Sequence, residues 1–339
     1  MTFSIITPSF NQLDWLRLCV ASVRDQVEAA ASCQSRASSI DSSISSSRPS
    51  TSDPRRLSVE HIIQDAGSPG IEEFAREVGA DFYKEGNLVF RSQVSDFSLS
   101  RYRIAIYCES DSGMYDAINR GLSKSSGELC AWLNSDEQYL EGTLSKVADI
   151  FSHRLNLDVL LGDALLVDSR LQPICYRRIM VPNRWHTRLD HLHSLSCSMF
   201  FKRRILPDPP LNSRWKVIGD SVLMDYFQKS RKNIHACRIP LASYSFTGHN
   251  LSANPACSEI KIWQRDCGCP PLLLRPIVVA VNRLRRAWHG AYKNFEIQQG
   301  LFTPASCFKR QPVQGRVSGR WPSLDDIFER NSENKGFPK

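Results

Sequence analysis

Residues 128–137 read ELCAWLNSDE: an apolar run of strand length, Glu128–Leu133, passes straight into Asn134, Ser135, Asp136 and Glu137. Carboxylates at the end of a buried strand are costly unless a cation meets them. A divalent metal with oxygen ligands is the economical partner. Just upstream, Glu109–Gly121 (ESDSGMYDAINRG) leads from an acidic loop into a short helix that Gly121 can terminate.

Working outward, the N-terminal part repeats one pattern. Phe3–Thr7 (FSIIT) is a β-branched apolar run stopped by Pro8–Asn11, and Leu13–Gln26 then carries apolar residues at helical spacing. Val59–Gln64 (VEHIIQ) is a second strand, closed by Asp65–Ser68; Ile71–Val78 reads as a helix and Ala80–Tyr83 as a short strand. Strand and helix in alternation predict a parallel α/β sheet. Such sheets bind ligands at the carboxyl ends of their strands, so the loops Pro8–Asn11 and Asp65–Ser68 are natural places for a site. Toward the C-terminus, Val159–Leu161 with a turn at Gly162-Asp163, Cys197–Phe201 and Ile239–Thr247 add strands, and Gly219-Asp220 opens a helix over Ser221–Lys229. Residues 32–52 interrupt this order with 11 serines in 21 positions, the composition of a disordered loop inserted into the domain.

The 339 residues are 42% hydrophobic and 23% charged, a soluble globular composition. The longest apolar run, Pro271–Val281, is broken by Arg275 and Pro276, which argues against a transmembrane helix. The opening residues lack the basic start and apolar core of a signal peptide. Eleven scattered cysteines with no C-x-x-C pair predict reduced thiols in a cytosolic setting, and the lone C-x-C of Cys267 and Cys269 is too little for a zinc site. The net charge of +8 is uneven: from Ser258 onward 14 Lys or Arg face 7 Asp or Glu, leaving the first 257 residues nearly neutral. A basic tail suits nucleic acid or an anionic membrane, but no nucleic-acid reader motif is present and none is expected as a partner. Ile277–Trp288 (IVVAVNRLRRAW) sets Ile277, Val281, Leu284 and Trp288 at helical spacing among arginines, the pattern of a helix lying in a membrane interface. A helix docked on the domain would instead hide Ile277, Val281 and Leu284.

From about Phe3 to Asn254 the chain resembles the family 2 glycosyltransferases, which share the GT-A nucleotide-sugar fold. The resemblance is carried by SIITPSFN at Ser4–Asn11, IIQDAGS at Ile62–Ser68, E-x-D-x-G-x-Y-D-A-x-N-x-G at Glu109–Gly121 and WLNSDE at Trp132–Glu137. It implies an α/β fold, a GT-A type Rossmann-like mixed sheet flanked by helices, over residues 1–254. Residues 255–339 then form a basic helical C-terminal extension. It also implies transfer of a sugar from a UDP- or GDP-sugar to a hydroxyl of a glycan or lipid-linked acceptor. The reaction would invert configuration, in the cell-envelope polysaccharide synthesis usual for this family branch. The residues implied for the nucleotide sugar are Pro8, Asn11, Asp65 (toward the base), Glu109, Asp111, Asp116, Asn119, Asn134 and Asp136. A divalent cation, Mn or Mg, is implied at Asp136 and Glu137, acting as a Lewis acid on the departing diphosphate. Asp220 matches the catalytic base, which must take the acceptor hydroxyl's proton as it attacks.

Two positions depart from the family pattern. Glu137 stands where a second Asp is usual, and Ser196-Cys197 stands where a His-Gln pair often precedes the aromatic run matching Phe200-Phe201. Other readings compete. Asp220 could serve only as a helix N-terminal acid, and Asp163 as a turn residue. His186, His191 and His193 suggest zinc, although an acceptor-groove or surface role fits them better. A sugar nucleotidyltransferase would need a Gly-rich basic loop after the first strand, which Thr7–Asn11 is not. An inactive nucleotide-sugar-binding protein is the remaining alternative. The expected location is the cytoplasm, at the inner face of the membrane if the C-terminal helix lies in the interface.

Overall fold

In a computed structural model, residues 1–38, 57–92, 101–189, 192–247, 250, 258–267 and 274–322 are described. The first half runs β1 (Thr2–Ser9), α1 (Leu13–Ser38), β2 (Ser58–Asp65), α2 (Ile71–Glu77), β3 (Asp81–Lys84), β4 (Asn87–Phe90) and β5 (Tyr102–Cys108). It continues through α3 (Met114–Lys124), β6 (Leu129–Trp132), β7 (Gln138–Tyr139), α4 (Thr143–His153), β8 (Val159–Asp168) and β9 (Pro173–Arg177). Then follow α5 (Arg184–Leu189), β10 (Met199–Lys202), α6 (Gly219–Lys229), β11 (Ile234–Phe246) and α7 (Ser258–Asp266). The described chain closes with α8 (Arg275–Trp288), β12 (Asn294–Thr303) and β13 (Ser306–Ser318).

One mixed sheet carries these strands in the order β12-β13-β9-β8-β10-β6-β1-β2-β5-β3-β4, with β11 beside β8 and β7. Its centre is parallel: β1 pairs with β2 on one side and β6 on the other, and β2 pairs with β5. Alternation along β1 explains why both faces are covered. Phe3 and Ile5 pack with Leu16, Val20 and Val23 of α1, Phe74 of α2 and Val147 of α4. Ile6 faces the other way, onto Ile118 and Leu122 of α3 and the layer that includes Leu223 and Phe227 of α6. A buried polar chain crosses the three strands: Thr7 Oγ1 meets His61 Nε2 at 2.9 Å, and His61 Nδ1 meets the Tyr102 hydroxyl at 3.0 Å. Burial, with the charge of Arg24, pushes His61 down to about 3, so the ring is neutral.

Several expectations change in detail. Pro8 does not stop β1, because pairing with β6 ends at Ile6 and the missing N–H falls beyond it. The alanines after Glu28 carry α1 through to Ser38, so the first residues of the expected serine loop are helical. The rest of that loop lies outside the described residues. Gly121 does not end its helix. It sits inside α3 where a Cβ would run into the Ile6 side chain, so it sets how closely α3 approaches β1. Gly162 and Asp163 form no turn. β8 runs on through them, and the fully buried Asp163 accepts hydrogen bonds from the Tyr176 hydroxyl (2.9 Å) and the Ile179 N–H (2.7 Å).

The largest change concerns the expected helical C-terminal extension. Residues 294–318 form the β12–β13 hairpin, which continues the main sheet through Ser318 and Cys175 of β9. Ile297, Leu301, Phe302, Val313 and Val317 pack with Trp15, Leu18 and Leu140, so the hairpin shares a core with α1. Gln138, directly after the Asn134–Glu137 turn, clamps it: the amide donates to the Phe302 carbonyl and accepts from the Phe302 N–H, both at 2.9 Å. Arg310 ties it to Asp25 of α1 at 2.8 Å.

Candidate active site

The parallel centre of the sheet brings four strand ends to one edge. Ser9, Asp65 and Cys108 stand in one row across β1, β2 and β5, and the Leu133 N–H donates to the Ile6 carbonyl just below it. The ends of these strands, the loops after them and α3 hold ten of the eleven site residues expected from the sequence; the exception, Asp220, comes from α6.

The β2 loop is tightly built. Asp65 is fully buried; its Oδ1 accepts from the N–H groups of Gly67 (2.9 Å) and Ser68 (2.6 Å), and its Oδ2 accepts from the Ser68 hydroxyl (2.7 Å). That hydroxyl in turn accepts the Asn11 N–H at 2.7 Å, which fixes Asn11 in a left-handed conformation, φ 54°. Asp65 and Asn11 therefore join two loops, and Asp65 spends both oxygens on its own turn.

The acidic loop after β5 is also charge-balanced. Glu109 lies 2.8 Å from the Lys124 ammonium and 3.3 Å from Arg120. Burial pushes its carboxyl up, but the Lys124 hydrogen bond and the two cations outweigh that and hold it below its usual range. Asp116 accepts from the Ser112 N–H (2.9 Å) and Arg120 (3.1 Å), which likewise outweigh its desolvation. Asp111 accepts the Gly113 N–H at 2.8 Å, shaping the loop. Asn119 turns away from this edge. Its amide donates to the Leu211 carbonyl (2.6 Å) and accepts from the Leu211 N–H (2.9 Å), so it anchors the chain ahead of α6.

The turn after β6 differs. The Glu137 N–H closes it onto the Asn134 carbonyl (3.0 Å), and Glu137 Oε2 accepts the Asn134 N–H (2.7 Å). Glu137 is fully buried, yet its Oε1 and the Asn134 Oδ1 meet no hydrogen-bond donor among the described residues. Asp136 is partly exposed and receives only a long contact, 3.4 Å, from the Asn250 amide. Burial raises the carboxyls of both Asp136 and Glu137, and the Asp136 charge raises Glu137 further. The same negative charges, after burial, push up the thiols of Cys197 and Cys19 beneath the turn. Cys197 thus occupies the place of the expected His-Gln pair as a buried packing residue. Ser135 links the turn to the first loop by donating to Gln12 Oε1 at 2.5 Å.

Asp220 sits in the first turn of α6, partly exposed, and its charge also acts on Glu137. Burial pushes its carboxyl up to about 6, although its Oδ1 accepts the Ser221 N–H at 2.7 Å. Its position depends on two residues that carried no expected role, Tyr115 and Glu259. The Tyr115 hydroxyl donates to the Val217 carbonyl (3.0 Å) and accepts the Asp220 N–H (3.4 Å). Gly219 makes room for that ring, since a Cβ there would lie 2.7 Å from it. Glu259 of α7 accepts the N–H groups of Lys216 (2.8 Å) and Val217 (2.9 Å), bracing the same loop from outside. Tyr115 stands inside the Glu109–Gly121 motif, which was the available signal for it; Glu259 carries no local signal.

The Asn134–Glu137 turn, near the raised Asp220, is the one that suits a cation, and its residues fit it unequally. Asp136 is accessible and short of partners, whereas Glu137, expected to share the ion, is turned inward and closes the turn. Among the described residues no group of three or more His, Cys, Asp or Glu side chains could hold a metal ion by itself. His193 is no zinc candidate here, because Arg177 engages its Nδ1 at 2.6 Å and Asn282 its Nε2. His191 lies outside the described residues.

Residues 90–205 match the family model described as glycosyl transferase family 2. No curated protein matches the chain. Among solved structures, S. aureus TarS 1-349 in complex with UDP-GlcNAc superposes with a TM-score of 0.52 at 13% identity, over 84% of this chain and 72% of that one. The same S. aureus fragment in complex with UDP gives 0.45 at 16% identity over 73% and 61%, and S. aureus TarS gives 0.48 at 14% over 84% and 43%. The chain thus spans about 60% of the first TarS 1-349 chain it matches. At such identity the structural likeness carries the fold, and the family match carries the central motifs. Both agree with the strand-end site: residues 90–205 are similar to the family 2 glycosyltransferases, and the chain shares its fold with S. aureus TarS 1-349.

Proposed function

We propose that this enzyme moves a sugar from a UDP- or GDP-sugar to a hydroxyl of a glycan or lipid-linked acceptor, inverting the anomeric centre, in cytoplasmic assembly of cell-envelope polysaccharide. The carrying observation is Asp220: a partly exposed carboxylate raised to about 6, whose charge acts on a turn where Glu137 keeps one buried oxygen without a donor. A base with that pKa is ionised at neutral pH yet basic enough to take a proton from an attacking hydroxyl. Attack on the face opposite the departing diphosphate gives inversion.

The loops at Pro8–Asn11, Asp65–Ser68 and Glu109–Asp116 line the edge where the nucleotide would lie, with Asp65 holding the turn that meets the base. The S. aureus TarS structure with UDP-GlcNAc supports a UDP-sugar as donor. Asp136 would hold a Mn or Mg ion, with Asn134 beside it and the diphosphate completing the ligand set. When bound, that ion neutralises charge developing on the diphosphate. Glu137 keeps the turn closed, Tyr115 keeps Asp220 aimed at the acceptor, and Asp220 accepts the proton at its carboxylate.

Donor turnover by wild type and Asp220→Asn tests this reading. The variant should lose roughly 10²–10⁴-fold in kcat and keep its melting temperature, because Asn still offers an oxygen to the Ser221 N–H in the first turn of α6. Wild-type kcat/KM should fall about tenfold per pH unit below about 6, as Asp220 protonates. Equal turnover in both proteins would reduce Asp220 to a first-turn helix acid, and donor binding without turnover in wild type would make the chain a binding protein.

A further inference from the structure

Helix α8 is inside out. Its polar residues Asn282 and Arg286 are buried, whereas Ile277, Val281, Leu284 and Trp288 are 59%, 51%, 71% and 89% exposed. The inner face is well anchored: the Asn282 amide bonds His193 Nε2, Arg285 donates to the Val181 carbonyl at 3.1 Å, and the Arg286 guanidinium lies 4.9 Å over the Tyr292 ring. The polar side of the helix is therefore the docked one. The outer residues recur at steps of four, three and four, which lines them along one stripe. Trp185, 49% exposed, stands on α5, the helix that packs against α8.

Charge selects the occupant. α8 carries Arg275, Arg283, Arg285 and Arg286 and no acid, and Arg238 bonds His289 at its C-terminal end. A second copy stacked on this stripe would bring arginines against arginines. Among the described residues no helix is long and apolar enough to cross a membrane, so burial of the stripe is interfacial. We infer that α8 seats the enzyme on an anionic lipid surface, with Ile277, Val281, Leu284 and Trp288 among the acyl chains and the exposed Arg275 and Arg283 at the headgroups. This goes beyond the reading of the active site and does not depend on it.

Cosedimentation of the full chain with vesicles tests it, using equal parts phosphatidylglycerol and phosphatidylcholine against phosphatidylcholine alone. Wild type should pellet with the anionic vesicles, stay in the supernatant with the neutral ones, and be released by high salt. Leu284→Ser combined with Trp288→Ser changes only exposed residues. It should keep the wild-type melting temperature and weaken vesicle binding by roughly a hundredfold, the factor for withdrawing two large apolar side chains. Wild type left in the supernatant with anionic vesicles, or a variant that pellets equally well, would overturn the inference. So would a lipid-free wild-type dimer that the same variant converts to monomer, which would assign the stripe to a second copy.

Discussion

The strands β2 and β6 flank β1 on its two sides and end at the same sheet edge, but the turns that follow them are built differently. After β2, Asp65 receives three hydrogen bonds within its own turn and leaves neither oxygen unpaired. After β6, Asp136 has one long contact, Glu137 keeps one oxygen without a donor, and both carboxyls are raised by burial, Glu137 further by the Asp136 charge. The first turn is complete as it stands, whereas the second carries a cost that a bound cation would relieve. Carboxylates at the same sheet edge thus complete a turn in one place and are left short of partners in the other. Partner satisfaction distinguishes them, and the acidic loop after β5, where Lys124 and Arg120 balance Glu109 and Asp116, falls on the side of shape.

The sharpest way to break that contrast is to remove charge from each turn. Asp65→Ala should destabilise the fold by about 2–4 kcal/mol, because the N–H groups of Gly67 and Ser68 lose a charged acceptor. Asp136→Asn should stay within about 0.5 kcal/mol of wild type or gain stability. Denaturant midpoints compare the two, and equal losses would abolish the distinction.

A smaller effect sharpens it further. Glu137 has its folded pKa raised above the ordinary 4.5, so the folded chain binds more protons than the unfolded one above that value. Stability is therefore lost as pH rises through the raised pKa. Glu137→Gln keeps an acceptor for the Asn134 N–H and removes the ionisation. It should stabilise by on the order of 1–2 kcal/mol at pH 8 and by nothing near pH 4. Melting curves across that range check it; a gap that widens toward acid pH would reverse the sign and the interpretation.

Local signals in the sequence covered the parallel centre and the strand-end loops, because strand runs such as FSIIT and ELCAWL and the turns after them depend on neighbouring residues. What lay beyond them is tertiary. Gly121 reads as a helix end by propensity, and only the approach of α3 to Ile6 makes it an interior position. Gly162-Asp163 reads as a turn, and only the Tyr176 hydroxyl and the Ile179 N–H make a buried aspartate tolerable inside β8. The β12–β13 hairpin is overshadowed by the basic composition around it, and its partners are Gln138 and α1, far away in the chain. In the site, the motif acids were legible as residues but not as paired or unpaired, since Lys124, Arg120 and Ser68 decide that in space. Tyr115 and Glu259 needed the loop ahead of Asp220 to be seen against α3 and α7.

The claim that the Asn134–Glu137 turn is the unfinished, cation-binding end of the donor site is tested most directly by calorimetry of UDP and GDP, with and without Mn, on wild type and Asp136→Asn. The account predicts that one of the nucleotides binds wild type at least about tenfold more tightly with Mn, a gain of roughly 1.4 kcal/mol, and that Asp136→Asn loses the gain while retaining the Mn-free affinity. Equal affinity of wild type in the presence and absence of Mn, or an undiminished Mn effect in the variant, would contradict it.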